Sequence, residues 1–247
     1  MNESTPHRLG RMAGVKARKF KWMWSALTGN ESDAIEAEHG VGRDMAAVVQ
    51  ERHQPTCDTD LQAILDQTGA QLSAVVRNKL HQFKIGVVTD DQPTAYALPG
   101  GFIFVTRSLT ELCGRNPDEL AFVVAHEMAH VIRRHAINRV LRQTTYTAAS
   151  MLAPGRGAIA PWLRRVGLDW LELAYSRDQE FEADALGGLL TEAAGFDPTG
   201  AVRLLERFRD FDGAPTIDGL GAYLSTHPPV HERISRLQRR LDQSAKA

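Results

Sequence analysis

With 247 residues, 43% of them apolar and 24% charged, the chain has ordinary globular composition and enough length for one sizeable core. A formal net charge of −1 gives no general attraction to nucleic acid or to an anionic membrane. Two cysteines, Cys57 and Cys113, exclude a disulfide framework and are expected as free buried thiols rather than one bridge; no apolar run approaches the roughly 20 residues of a spanning helix.

Residues 1–31 form a basic leader. Arg8, Arg11, Lys16, Arg18, Lys19 and Lys21 precede Trp22, Met23, Trp24 and Leu27, an apolar stretch too short for a secretory signal. Basic charge beside two tryptophans suits a peripheral membrane foothold, and a flexible solvated tail is the plainer expectation. Residues 32–247 read as a single domain without internal repeats or low-complexity tracts.

Ser32 and Asp33 offer caps for a helix through Ile35, Met45, Val48 and Val49, which Gly40 and Gly42 are expected to break and Pro55 to end. Asp58 or Asp60 caps a second amphipathic helix carrying Leu61, Ile64, Leu65, Leu72, Val75 and Val76. Alternation at Phe83, Ile85 and Val87 then marks a strand. Beyond a turn at 89–93, Ala95-Tyr96-Ala97-Leu98 and Phe102-Ile103-Phe104-Val105-Thr106 read as two short strands joined by a corner at Pro99-Gly100-Gly101.

Asn116 caps the next helix, Pro117 opens it, and Asp118 and Glu119 suit its positive end. On it stand His126, Glu127 and His130. Histidines four apart point the same way, about 6 Å apart along the axis, so both imidazoles can reach one metal ion. Glu127, about 100° round the helix, stays off that pair but lies beside a water that the metal would hold. The surrounding Ala121, Phe122, Val123, Val124, Ala125, Met128, Ala129, Val131 and Ile132 make the helix apolar on nearly every face. It is therefore expected to be buried, and buried imidazoles and a carboxylate need compensation, which a metal supplies.

His135, half a turn out of phase with His126 on a continuous helix, reads as a surface histidine. Arg133, Arg134, Arg139 and Arg142 read as a solvated basic face complementing the helix dipole rather than a nucleic-acid site. Arg133 and Ala136 also stand where H-E-x-x-H-x-x-G-x-x-H requires glycine and histidine, which excludes that pattern. In zinc peptidases an edge strand beside the metal holds the substrate backbone by strand addition. Ala95, Tyr96, Ala97 and Leu98 are one candidate, Phe102 to Thr106 the other, and plain core strands the alternative to both. Thr144 to Leu163, rich in Ala, Thr, Gly and Pro, is a candidate lid or an ordinary connector, after which Trp162, Val166, Trp170, Leu171 and Leu173 resume a helical spacing.

A catalytic zinc keeps three protein ligands and one position for water. Glu180 and Asp184, again four apart, put two carboxylates on one face of a second helix, one able to bind metal and the other to support a ligand histidine from behind. With Asp178 and Glu182 nearby, a solvated acidic helix is the alternative.

Together, His126-Glu127-Met128-Ala129-His130 and the run Ser176 to Asp184, SRDQEFEAD, resemble the HtpX- and BepA-like zinc peptidases, relatives of the Oma-type mitochondrial and CaaX-prenyl proteases. Ala95 to Gly101 with Phe102 to Arg107, and Thr226-His227-Pro228-Pro229 with Glu232, Arg233 and Ile234, resemble further segments of that family, in family order across residues 33–242. The resemblance implies an α+β class: a predominantly helical zincin-like metallopeptidase domain with a small three-stranded sheet before the active-site helix. It implies one zinc ion held by His126, His130 and Glu180, Asp184 behind a ligand histidine, and Glu127 as general base. His227 is expected to reach the active site, as oxyanion donor or in the metal's open position, with His231 as its competitor. The implied substrates are unfolded or extended polypeptides, in quality control of misfolded or membrane-associated proteins; a sequence with no clear signal peptide or spanning helix is expected in the cytoplasm or at a membrane surface. A zinc-stabilised polypeptide-binding or chaperone-like module without cleavage is the competing class; its mark would be loss of the general base, and Glu127 is present.

Overall fold

The computed structural model describes residues 30–53, 58–143, 175–211 and 230–244. Helices α1 (Glu31–Arg52) and α2 (Thr59–Val75) precede β1 (Lys84–Val88), β2 (Ala95–Leu98), a 3-10 turn (Pro99–Gly101) and β3 (Phe102–Thr106). Then follow α3 (Arg107–Leu112), α4 (Pro117–Ile132), α5 (His135–Gln143), α6 (Arg177–Ala193), α7 (Gly200–Phe211) and α8 (Val230–Ser244). This is the expected α+β arrangement, mostly helical with one small sheet. The basic leader up to residue 29, Cys57, the segment 144–163 and the helical spacing after it all lie outside the described residues. No helix among the described residues is long and apolar enough to cross a membrane.

The strands are ordered β1-β3-β2, with β1 parallel and β2 antiparallel to β3. Alternation along them feeds two cores. Val87, Ala95, Ala97, Ile103 and Val105 point towards α2 and α4, where Leu61, Leu65, Leu120 and Met128 pack. Val88, Tyr96, Leu98, Phe102 and Phe104 point the other way, onto Val41, Met45, Val48 and Val49 of α1 and Val140 of α5. A sheet covered on both faces needs continuous apolar runs rather than a polar side, which is why β2 and β3 are buried at every position.

Helix α1 departs from expectation in two ways. Its cap is Asn30, whose side chain accepts from the Asp33 amide at 2.9 Å, and it runs unbroken through Gly40 and Gly42. The second departure has a packing cause. A Cβ on Gly42 would lie 1.7 Å from the Pro99 carbonyl oxygen, and one on Gly100, itself at φ 72°, would lie 2.2 Å from His39 Cα. Glycine on both sides lets helix and turn backbones touch, and His39 Nδ1, 3.0 Å from Gly100 O, fastens them. Tertiary contact thus outweighs the propensity cost of about 1 kcal/mol per helical glycine.

Helix α4, which carries His126, Glu127 and His130, is the centre of the fold. Asn116 Oδ1 accepts from the amides of Asp118 and Glu119 at 3.0 and 3.1 Å, Pro117 occupies the first turn, and every residue from Glu119 to Val131 is buried. Its start is tied to α7 through Asp197, whose amide donates to Asp118 Oδ1 at 2.9 Å. The Asp197 carboxylate accepts from Thr199 Oγ1 at 2.6 Å, Arg203 Nη1 at 2.8 Å and the Thr199 amide at 2.9 Å. Cys113 is a buried free thiol, pushed up to about 12 by burial.

Gly42→Ala is expected to destabilise the protein by about 2 kcal/mol or more, because the added methyl has no space to relax into; urea unfolding measures it. The bonds from Thr199 and then Arg203 hold the Asp197 carboxyl down to about 2, against an ordinary 3.8. A depressed folded-state value means that its contribution is fully present above about pH 4 and is lost as pH falls through about 2. The gap in urea midpoint between wild type and Asp197→Asn is therefore expected to be constant above about pH 5 and to close between about pH 4 and 2.

Candidate metal centre

Helix α6 is started by a capping box: Ser176 Oγ accepts from the Gln179 amide at 3.3 Å, and Gln179 Oε1 accepts from the Ser176 amide at 3.1 Å. It then packs against α4 almost backbone to backbone. A Cβ on Gly187 would lie 3.0 Å from the His126 nitrogen, and this closeness carries Glu180 and Asp184, on the same face, to the imidazoles of α4.

His126 Nε2 and His130 Nε2 are 3.1 Å apart, with Glu180 Oε2 3.5 Å from the first and Glu180 Oε1 3.4 Å from the second. All three residues are buried, His130 and Glu180 completely. A tetrahedral metal with bonds of about 2.0–2.1 Å has ligand–ligand edges of about 3.3 Å. Two imidazole nitrogens and the oxygens of one carboxylate at these separations therefore suit such an ion. Among the described residues, this is the one group of three or more histidine, cysteine or acidic side chains close enough to hold a metal.

Behind the cluster stands a charged assembly. Asp184 Oδ1 is 3.1 Å from His126 Nδ1, the nitrogen facing away from the cluster. The same carboxylate is gripped by Arg233 of α8, Nε to Oδ2 at 2.8 Å and Nη2 to Oδ1 at 2.7 Å, and Arg233 Nη1 lies 3.7 Å from Glu180 Oε2. Burial opposes ionisation of Asp184, but the Arg233 guanidinium and His126 outweigh it and hold the carboxyl down to about 2. Burial likewise pulls His126 down, yet Asp184 and Glu180 raise it to about 9, so positive charge is favoured here. His130 is drawn to about 3 by burial, against its bond to Glu180, and stays neutral. Glu127 is raised by burial, partly offset by His126, Arg139 and the Ala97 backbone amide. Among the described residues its Oε2 has no hydrogen-bond partner.

Two sequence expectations need correction here. His135 is buried, not on the surface. Helix α4 stops at Ile132, Arg134 turns the chain with φ 59°, and α5 begins at His135. The helical phase carried from His126 is broken there, so His135 swings inward until its Nδ1 lies 3.1 Å from His130 Nδ1. Arg139 is not part of a solvated face either. It is 6% exposed, donates from Nη2 to the Ala97 carbonyl at 3.2 Å and lies over the Tyr175 ring at 4.3 Å, while that ring stacks on His130 at 3.8 Å. Arg134 pairs with buried Glu38 at 2.6 Å. Of the two candidate substrate strands, β3 is paired on both sides and has no edge to offer; β2, with Ala95, Tyr96, Ala97 and Leu98, is the edge.

His227 lies outside the described residues, and its competitor His231 is exposed in the first turn of α8. Arg233 is the residue that sequence reasoning passed over, although a signal existed. Val230, Arg233, Ile234 and Leu237 form the i, i+3, i+4, i+7 stripe that buries α8, and an arginine on an apolar stripe implies a buried anion.

Two imidazoles one helical turn apart, a carboxylate from a second helix and a glutamate beside them, set behind a small sheet, are the fold and donor set of the H-E-x-x-H metallopeptidases. The model of peptidase family M48 matches residues 59–241, and the chain belongs to that family. It is 33% identical over 161 residues to the mitochondrial metalloendopeptidase OMA1 of Schizosaccharomyces pombe, covering 64% of this chain and 46% of that one. To the putative beta-barrel assembly-enhancing protease of Vibrio cholerae it is 28% identical over 201 residues, covering 75% and 40%. To the protease HtpX homolog of Salinibacter ruber it is 27% identical over 190 residues, covering 63% and 67%. The chain spans about half the length, or less, of the curated mitochondrial relatives it matches. Membership implies a metal cofactor, for which the His126, His130 and Glu180 donors are suited.

Removing the arginine leaves a buried carboxylate without its main counter-charge. Arg233→Met is expected to destabilise the fold by about 3–5 kcal/mol. Combining it with Asp184→Asn should cost clearly less than the two single changes added together, as a double-mutant cycle of urea midpoints would measure.

Proposed function

We propose that this chain is a zinc-dependent metalloendopeptidase that cuts unfolded or extended polypeptides, in quality control of misfolded or membrane-associated proteins. The observation that carries this reading is the buried trio His126, His130 and Glu180, with donor separations of 3.1–3.5 Å and Glu127 one residue from a donor. Two imidazoles, one carboxylate and a fourth position left for water are the donor set that catalytic zinc takes. The relatives named a metalloendopeptidase, an assembly-enhancing protease and a protease support the reaction class.

In this reading one zinc ion is held by His126, His130 and Glu180, with Asp184 and Arg233 fixing the His126 ring from behind. Zinc supplies Lewis acidity, making water acidic enough to lose a proton near neutral pH and polarising a carbonyl. Glu127 takes that proton on its carboxylate and passes it to the leaving amine. Its burial suits the task, because a raised pKa lets the carboxyl hold a proton between the two transfers. Strand β2 is proposed to take the substrate backbone by strand addition along Ala95 to Leu98. The Ala97 carbonyl, now accepting from Arg139, would exchange that donor for a substrate amide. His227 is proposed as the donor that holds the developing oxyanion. Support comes from its place three residues before α8, the helix whose Arg233 reaches Asp184. Peripheral membrane contact through the basic leader belongs to the same proposal and rests on its composition. A binding module without cleavage has no use for a buried carboxylate beside the metal donors, and Glu127 is one.

Glu127→Gln is expected to keep one equivalent of zinc while cleavage of unfolded casein falls about 10²–10⁴-fold. Metal analysis and a chelator-sensitive cleavage assay measure the two quantities, and undiminished cleavage would remove Glu127 from its role.

A further inference from the structure

Each metal-binding histidine has two ring nitrogens, and the one away from the metal normally donates to a group that fixes its tautomer and orientation. For His126 that group is Asp184. For His130 the facing group is another imidazole, His135, buried with it at an Nδ1 to Nδ1 distance of 3.1 Å. The two rings meet edge to face, with centroids 5.2 Å apart and planes at 63°, so the nitrogens confront each other rather than the ring faces.

Two N–H groups cannot face each other across 3.1 Å without repulsion, so one nitrogen of this pair is an acceptor. His130 turns Nε2 towards the other metal donors, which needs that lone pair free and leaves its proton on Nδ1. His135 Nδ1 is then the acceptor, and the His135 proton sits on Nε2. That nitrogen lies 3.4 Å from Glu182 Oε2, and Glu182 is in turn paired with Arg133 Nε at 3.0 Å. The direction of donation is thereby set along the line from His130 through His135 to Glu182.

We infer that His135 is a positioning residue for the metal centre: its Nδ1 accepts the Nδ1–H of His130 and so fixes the ring and tautomer that present Nε2 to the metal. The inference rests on the reading of His126, His130 and Glu180 as ligands. It explains why the chain adopts a left-handed residue at Arg134 immediately after α4, since a continuous helix would carry His135 to the opposite side. Tyr175, stacked on His130 with ring centroids 3.8 Å apart, holds the face of the ligand ring while His135 holds its edge.

The test compares His135→Ala, His135→Asn and His135→Gln in the full chain. Asparagine carries an acceptor oxygen close to where Nδ1 stands, whereas the glutamine amide reaches to the Nε2 position. The readouts are the zinc dissociation constant by chelator competition, the visible absorption of the Co²⁺ form, and thermal unfolding of the metal-free protein. The alanine and glutamine variants are expected to bind zinc about 10–100-fold more weakly and to alter the Co²⁺ spectrum. His135→Asn should retain most of the affinity, with the metal-free melting temperatures of the asparagine and glutamine variants alike. If the alanine variant fails to fold, the asparagine and glutamine pair decides. Equal zinc affinity in those two variants and wild type overturns the inference and leaves the peptidase reading intact. A wild-type chain that binds no zinc overturns both.

Discussion

Glu180 and Asp184 are carboxylates sunk between two helices, and the rest of the site follows from the need to compensate them. An isolated buried carboxylate is costly enough to neutralise itself or unfold its surroundings. Here Asp184 has the Arg233 guanidinium on two bonds and the His126 ring at 3.1 Å, while Glu180 faces the imidazoles of His126 and His130 and lies 3.7 Å from Arg233. Three separate helices, α4, α6 and α8, each contribute one part of this charge balance. Helix α8 is therefore bound to the domain by a buried ion pair as well as by its apolar stripe, and the candidate metal centre is coupled to the packing of a helix far along the chain.

Rigidity around the centre has a second source. Gly187 lets α6 approach the α4 backbone at His126, as Gly42 and Gly100 let α1 lie on the turn between β2 and β3. That turn sets the edge strand, and the edge strand abuts Glu127 and Arg139. Close backbone approaches thus join α1 to the turn and α4 to α6, and the Glu127 and Arg139 side chains at Ala97 connect the two. Preorganisation of this kind is what a metal site needs, because ligands already held at their separations lose little freedom when the ion arrives.

Much of this was legible in the residues. The H-E-x-x-H spacing, the Asn116 and Asp58 caps, the three short strands and the pairing of Glu180 with Asp184 on one face all follow from local periodicity and chain-end chemistry. Arg233 was legible in principle, as a charge on the apolar stripe of α8. His135 was misread because the phase of α4 was carried past its end, and a left-handed residue at Arg134 reset that phase; Arg139 was misread because a run of arginines was taken as one solvated face, whereas it is buried against Ala97 and Tyr175. Gly42 was misread as a helix breaker because propensity was weighed without the Pro99 carbonyl that presses against it.

The residues alone determined which side chains share a helix face, that α4 is buried, and that its histidines can address one metal, because helical and strand periods fix relative directions within an element. They did not determine which acidic residue of α6 stands beside the two Nε2 atoms and which lies behind His126 on Arg233, that the edge strand is β2 rather than β3, or that His135 turns inward. Those depend on separations between elements, which are set by interhelical approach at Gly187, by sheet order and by one backbone turn. A one-dimensional pattern carries direction along an element; only packing supplies the distance from one element to the next.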